Sequence, residues 1–319
     1  MLLVVGEALV EFMRPRVDVP LDVPAEFIGP FPSGAPAIFA STAARLGVPT
    51  ELCALVGDDP FGRSLLSRLR RDGVGTGGCR TEPDLPTATA FVAYTSTGAR
   101  SFVFNVRHAA AGGLRPEDLG DLPERADWLH VSGSAIALGA SLAETAIQAA
   151  ERVLGAGGRI SVDPNVRPEA TSPQIEQRLG WLVRQAGVVF PSEGELAALG
   201  LDEETLVSAG AIVCTTRGAD GARLHSDGEV VDVAAPPVGE VDPTGAGDTF
   251  AGAFLAAMLA GADAREATEL ACRAGAAAVT VLGPMEAPVD PALLAPLRAR
   301  AGSVEGYHDQ AAGSQLGPL

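Results

Sequence analysis

Val241-Asp242-Pro243-Thr244-Gly245-Ala246-Gly247-Asp248-Thr249-Phe250-Ala251-Gly252 is the most informative stretch of this 319-residue chain. Small residues at 245–247 let successive backbone N–H groups converge, and an Ala-rich apolar segment of helical length, 249–260, follows them. Converging amides at a helix N-terminus cradle an anion, because the unpaired N–H groups and the helix dipole point the same way. Asp248 stands beside that cradle, where it cannot serve to attract an anion. As a general base it would take a proton from a hydroxyl attacking a cradled phosphorus. As a purely structural residue it would be a favourable acid in the first turn of a helix. The residues alone leave both readings open.

On either side the chain has an α/β pattern. Residues 2–5 are an apolar run closed by Gly6, as in a buried strand. Residues 35–46 read as a helix stopped by Gly47, 51–56 as a strand, and 60–71 as a helix with arginines in its last turn and Gly73 beyond it. Residues 87–94 and 100–106, joined through Ser96, Thr97 and Gly98, alternate as a β-hairpin that interrupts the βα order. Apolar, β-rich runs at 128–131, 159–163, 188–190 and 211–215 alternate with helix-like segments such as 141–154, which predicts a parallel sheet with crossover helices. Residues 230–234 read as a further strand, 264–282 as a second Ala-rich helix, and 302–319 as a frayed tail. No GxGxxG follows the first strand, so a nicotinamide-binding Rossmann reading loses its main support.

The formal charge of −17 comes from 40 acidic and 23 basic side chains, and every basic one is an arginine. Without lysine, a Walker-A P-loop, pyridoxal phosphate and Schiff-base chemistry are excluded. Phosphate must be handled by arginine, backbone amides or a metal. Scattered arginines on so acidic a chain would not hold nucleic acid. The acidity itself reads as genomic base composition and solubility. Cys53, Cys79, Cys214 and Cys272 form no CxxC and the four histidines no HExxH, so neither a disulfide framework nor a zinc site is expected. No apolar run reaches the ~20 residues needed to cross a bilayer, and no basic leader precedes the first strand. We expect a soluble, cytoplasmic protein with no membrane partner.

The segment DPTGAGDTFAGAF resembles the C-terminal signature of the PfkB/ribokinase family of carbohydrate kinases, and the similarity runs from Leu2 to about Pro291. Ser33-Gly34-Ala35-Pro36-Ala37-Ile38 occupies the place of the family's GGxxxN sugar motif, with Ser33 for the first Gly and Ile38 for Asn. Gly57 to Gly62 looks like its GDDxFG turn, and Thr215 to Ala222 like its nucleotide-binding strand and turn. The resemblance implies a ribokinase-like fold over 1–301: a central, mostly parallel sheet flanked by helices, with a small β-sheet lid from about 12–31 and 87–107. It implies ATP- and Mg²⁺-dependent phosphorylation of a small sugar, with Asp248 as the base and Gly245, Ala246 and Gly247 as the cradle.

Further site residues follow from the same resemblance. Glu11 takes the place of a sugar-binding Asp, and Gly34 lies in the sugar motif. Asp163-Pro164-Asn165-Val166-Arg167 matches a DPNxR motif, whose Arg167 would reach phosphate or a substrate carboxylate. Ser192-Glu193-Gly194-Glu195 resembles an NxxE motif with Ser for Asn, and Glu195 would hold Mg²⁺ through water. Thr215, Arg217, Gly218 and Gly221, with Gly245 and Gly247, would contact the nucleotide, walled by the helix over 264–282. Asp242 and Thr244 are candidates for a monovalent cation such as K⁺. On the lid, Asn105 stands where ketodeoxygluconate kinases have Tyr, Arg107 is kept, and His108 reads as packing at the lid edge. The similar branches, tagatose kinase-like, fructokinase and 2-keto-3-deoxygluconate kinase, imply a ketohexose or a keto-deoxy sugar acid. Exposed lid edges imply a homodimer. A nucleoside kinase of the same fold and a non-catalytic sugar sensor are the alternatives.

Overall fold

The structure, a computed structural model, describes residues 1–97, 100–166, 171–295 and 297, and every count below refers to these. Strand β1 (Leu2–Val5) shows the architecture in miniature. Leu2 and Val4 belong to one hydrophobic cluster, Leu3 and Val5 to another, and all four are at most 1% exposed. Strand side chains alternate between faces, so a strand buried on both faces has helices packed on both sides.

From β1 the chain enters β2 (Leu9–Met13), β3 (Ile28–Ser33), helix α1 (Ala35–Arg45), β4 (Thr50–Cys53), β5 (Leu55–Gly57), α2 (Pro60–Arg71), β6 (Arg80–Glu82), β7 (Thr89–Tyr94) and β8 (Arg100–Asn105). It continues through β9 (Trp128–Ser132), α3 (Gly133–Leu138), α4 (Ala140–Gly155), β10 (Arg159–Asp163), α5 (Pro173–Gln185), β11 (Val188–Val189), α6 (Glu195–Ala198) and α7 (Glu203–Ser208). The last elements are β12 (Ile212–Thr216), β13 (Ala222–Ser226), β14 (Glu229–Val233), α8 (Ala246–Leu259) and α9 (Ala264–Ala278). Eight strands form one sheet in the order β14-β13-β12-β11-β10-β9-β1-β4. Pairings from β4 through to β12 are parallel, and those of β13 with its two neighbours are antiparallel. The antiparallel end follows from loop length. Strands joined by turns such as 217–221 and 227–228 are too close in sequence for a parallel crossover.

The smaller sheet, in the order β3-β2-β7-β8, grows from the C-terminal edge of the large one, because β2 begins only three residues after β1 ends. Asp59 ties it to the body. Its carboxylate caps α2 at the Gly62 amide (2.8 Å) and also accepts the Thr87 amide (2.7 Å) just before β7. The expected hairpin is therefore present as β7 and β8, but most of the segment 14–27 is a loop rather than lid strand. The Arg14 guanidinium holds that loop closed, donating to the carbonyls of Pro20 (3.0 Å), Val23 (2.6 Å) and Glu26 (3.2 Å) beneath the Phe27 ring.

Two expected boundaries are corrected. The strand read over 51–56 breaks at Ala54 into β4, which stays in the main sheet, and β5, which leaves to pair with β6. The helix read over 264–282 ends at Ala278 because the Val279 carbonyl beyond it accepts the amides of Val241 (2.7 Å) and Asp242 (3.2 Å). Helix α8 lies between α1 and α9, apolar nearly all round, as a fully enclosed helix must be. The four cysteines are free, and no described helix is long and apolar enough to cross a membrane.

Candidate active site

Helix α8 opens on Gly245, whose φ of +79° lies in the left-handed region, and this N-cap residue has no side chain with which to cap the helix. A helix leaves its first N–H groups unpaired, so this end presents donors and a positive dipole to whatever approaches it. A Cβ on Gly245 would meet the Pro284 carbonyl at 2.8 Å and Ile38 Cδ1 at 3.2 Å, so the turn accepts only glycine. Gly247 differs, since a Cβ there would meet nothing within 4 Å. Asp248 stands in the first turn, half-buried. Ile38, the departure from the sugar motif, packs under this turn.

The loop before α8 is organised by Asp242, which is 1% exposed. Its Oδ1 accepts the Thr244 amide (3.0 Å) and the Tyr94 hydroxyl (2.7 Å), and its Oδ2 accepts the Gly283 amide (2.9 Å). The Tyr94 hydroxyl also contacts Thr244 Oγ1. Burial and donation to the Asp242 carboxylate push the Tyr94 phenol well above its ordinary pKa, so it remains a donor. The side chains of Asp242 and Thr244 are thus both engaged in the hydrogen bonds that shape this loop.

On the small sheet, Glu11 is 3% exposed and its Oε2 accepts the Ser33 hydroxyl at 2.9 Å. The two departures from the family pattern on β2 and β3 are therefore one arrangement, with the longer acid reaching the added hydroxyl. Glu7, also 3% exposed, accepts the Ser134 hydroxyl at 2.6 Å beside Ser132 at the end of β9. Gly34 precedes α1 with φ +105°, and a Cβ there would meet the Glu7 carbonyl at 2.8 Å. Asn105 is exposed and donates to Thr89 Oγ1 at 3.4 Å, and Arg107 is exposed just past β8. Arg167 lies outside the described residues, as does the tail over 302–319.

Glu195 gathers the ends of the central strands. Its Oε1 accepts the Val166 amide and its Oε2 the Ser192 amide, both at 2.8 Å, which pins the loop after β10 to the loop after β11. Ser192 in turn bridges to Thr216 at the end of β12. Among the described residues no group of three His, Cys, Asp or Glu lies close enough to hold a metal ion by itself. Thr215 Oγ1 is buried without a hydrogen-bond partner. Arg217 pairs with Asp232 on β14 (3.0 Å), while its Nε stays buried and unpartnered. Gly218 and Gly221 form the turn into β13, where the Arg217 amide donates to the Gly221 carbonyl at 2.8 Å.

The sequence reading missed Tyr94, Glu7 and Ser134. Glu7 carried one signal, an acid directly after a buried strand. Tyr94 carried none, because its partner lies 148 residues away.

The profile of the pfkB family carbohydrate kinases matches residues 1–291. A fructokinase of Vibrio alginolyticus is 36% identical over 273 residues, covering 80% of this chain and 88% of the relative. A 2-dehydro-3-deoxygluconokinase of Thermoproteus tenax is 31% identical over 275 residues, covering 80% and 81%. An Escherichia coli protein described as a candidate ribokinase II, solved with ATP and Mg²⁺, superposes with a TM-score of 0.87 at 36% identity, covering 94% of this chain and 99% of its own.

Proposed function

This chain belongs to the pfkB family of carbohydrate kinases and is a sugar kinase; on that premise we propose that it phosphorylates a neutral ketohexose with Asp248 as general base. The observation that carries this reading is the glycine-opened N-terminus of α8 with a carboxylate in its first turn. ATP would supply the γ-phosphoryl group, and bound Mg²⁺ would supply positive charge against the triphosphate. Glu195 would hold the metal through water, and Thr215, Arg217, Gly218 and Gly221 would border the nucleotide. Asp248 takes the proton of the sugar hydroxyl as its oxygen bonds to phosphorus and the bridging P–O bond breaks. The amides at Gly245, Ala246 and Gly247 would hold the charge that gathers on the phosphoryl oxygens, that of Ala246 by exchanging its long 3.4 Å bond to the Pro243 carbonyl for one to phosphate.

Glu11, with Ser33 and Gly34, supports the neutral substrate, since buried carboxylates accept hydrogen bonds from hydroxyls and repel a carboxylate. Asn105 would cover the sugar from β8. A keto-deoxy sugar acid is the second reading, favoured by Arg107 on the lid, by Arg167, and by the ketodeoxygluconokinase relative. The small sheet would act as the lid of a single kinase domain. Its outer strand β8, with Val103 and Phe104 nearly half exposed, supports pairing with a second copy in a cytoplasmic homodimer.

A coupled ADP-release screen over ketohexoses, 2-keto-3-deoxygluconate, ribose and nucleosides tests the substrate. Asp248→Asn should lower kcat on the best of them by ~10²–10⁴-fold, while calorimetry still detects MgATP. Near-normal turnover in that variant would remove Asp248 as the base.

A further inference from the structure

Tyr94 is the last residue of β7, in the sheet that carries Glu11, yet its hydroxyl donates to Asp242 in the loop that sets up the α8 N-terminus. Its position is fixed from several sides. The Tyr94 carbonyl accepts the Asp18 amide at 2.9 Å, and Asp18 Oδ1 accepts the Ser96 amide at 2.9 Å, so the end of β7 is tied to the loop that Arg14 closes. Asp242, the receiving group, is fully buried and links Thr244, one residue before the left-handed Gly245, to Gly283 beyond α9. The Gly283 segment is held in turn, since Arg45 and Arg68 donate to the carbonyls of Met285 and Val289. One side-chain hydroxyl therefore joins the small sheet to the hub on which the cradle turns.

We propose that Tyr94 is a positioning residue that couples the sugar-covering sheet to the phosphate cradle, so that order at one is transmitted to the other. The inference rests on the kinase reading above. The coupling runs through a short, rigid path: Thr244 receives its geometry from the Asp242 carboxylate, and Tyr94 supplies that carboxylate's only side-chain donor among the hydrogen bonds described here. Tyr94→Phe removes the donor and keeps the ring. Thr244 and Gly283 still donate to Asp242, so the cradle remains folded and loses its hydrogen bond to β7, keeping only apolar packing such as Phe31 of β3 against Gly283.

Hydrogen exchange on wild type and Tyr94→Phe, each with and without the non-hydrolysable analogue Mg·AMP-PNP, tests this directly. In wild type the analogue should slow exchange both at 243–249 and at 89–94. In Tyr94→Phe, protection at 243–249 should persist while that at 89–94 is lost. Turnover should fall about 10-fold, the equivalent of one hydrogen bond to a charged group, with KM for ATP within about twofold. A merely structural tyrosine would shift the melting temperature without this split between kcat and KM. Equal protection at 89–94 in both proteins, or wild-type protection confined to 243–249, would overturn the coupling alone. No protection at 243–249 in wild type would overturn the α8 N-terminus as the phosphate cradle, and the coupling with it.

Discussion

Two glycines two residues apart should respond in opposite ways to the same substitution. Gly245→Ala places a Cβ on a left-handed residue, which costs about 1–2 kcal/mol. The same atom would lie 2.8 Å from the Pro284 carbonyl, flanked by Gly283 and Met285, which are anchored to Asp242 and Arg68. That backbone cannot yield cheaply, and overpacking of this kind adds roughly 1–3 kcal/mol. Together these cost roughly 2–5 kcal/mol, which lowers the melting temperature of a chain this long by roughly 3–8 °C. Gly247→Ala meets nothing within 4 Å and sits in the helix, where alanine is favoured over glycine by up to about 1 kcal/mol. Its melting temperature should be unchanged or higher. Its methyl nevertheless projects from the cradle, and displacing a phosphoryl group by about 1 Å costs on the order of 10²-fold in rate. Scanning calorimetry and the coupled kinase assay on both variants decide the matter. Wild-type melting in Gly245→Ala would refute the strained turn, and full activity in Gly247→Ala would refute the cradle.

Glu195→Gln replaces one acceptor by an amide N–H that faces a backbone N–H, so the contact to Val166 or to Ser192 is lost along with the charge. The Mg²⁺ concentration for half-maximal rate should rise severalfold at unchanged sugar KM, and an unchanged Mg²⁺ profile with lost sugar affinity would move Glu195 to the other ligand. His130 lies stacked on Phe39 at 3.6 Å, with Nδ1 3.0 Å from Ser161 Oγ, and burial lowers its pKa from 6.5 to about 3. The unfolded chain binds a proton that the folded chain refuses, so the stability from this site is whole above pH 6.5 and drains away toward pH 3. About 2 kcal/mol should be gone at pH 5, and melting of His130→Gln should depend less on pH between 7 and 5; equal slopes would contradict this.

Much of the architecture was legible in local pattern. The uninterrupted apolar run of β1, the Gly stops after α1 and α2, and the βα alternation are all short-range features, and periodicity with punctuation reports such features well. The lysine-free composition excluded whole mechanisms without any structure. The glycine turn opening α8 with Asp248 in its first turn was legible too, because its amides and its carboxylate lie within a few residues of each other.

What remained hidden depends on pairs distant in the chain. Nothing local said that strand 51–56 would break, since β5 leaves the sheet only because β6 offers it a partner. Ser33 and Ile38 looked like losses; folded, one becomes the donor to Glu11 and the other the floor under Gly245. Nothing local to Arg217 announces its ion pair, because the antiparallel return of β14 is what brings Asp232 within 3.0 Å of it. Tyr94 became visible only when the small sheet was seated beside the loop before α8. Backbone preference and hydrophobic period act over a few residues and were written in the sequence, whereas the partner of a buried hydroxyl or carboxylate is chosen by the packing of whole elements, and only the tertiary structure decides that.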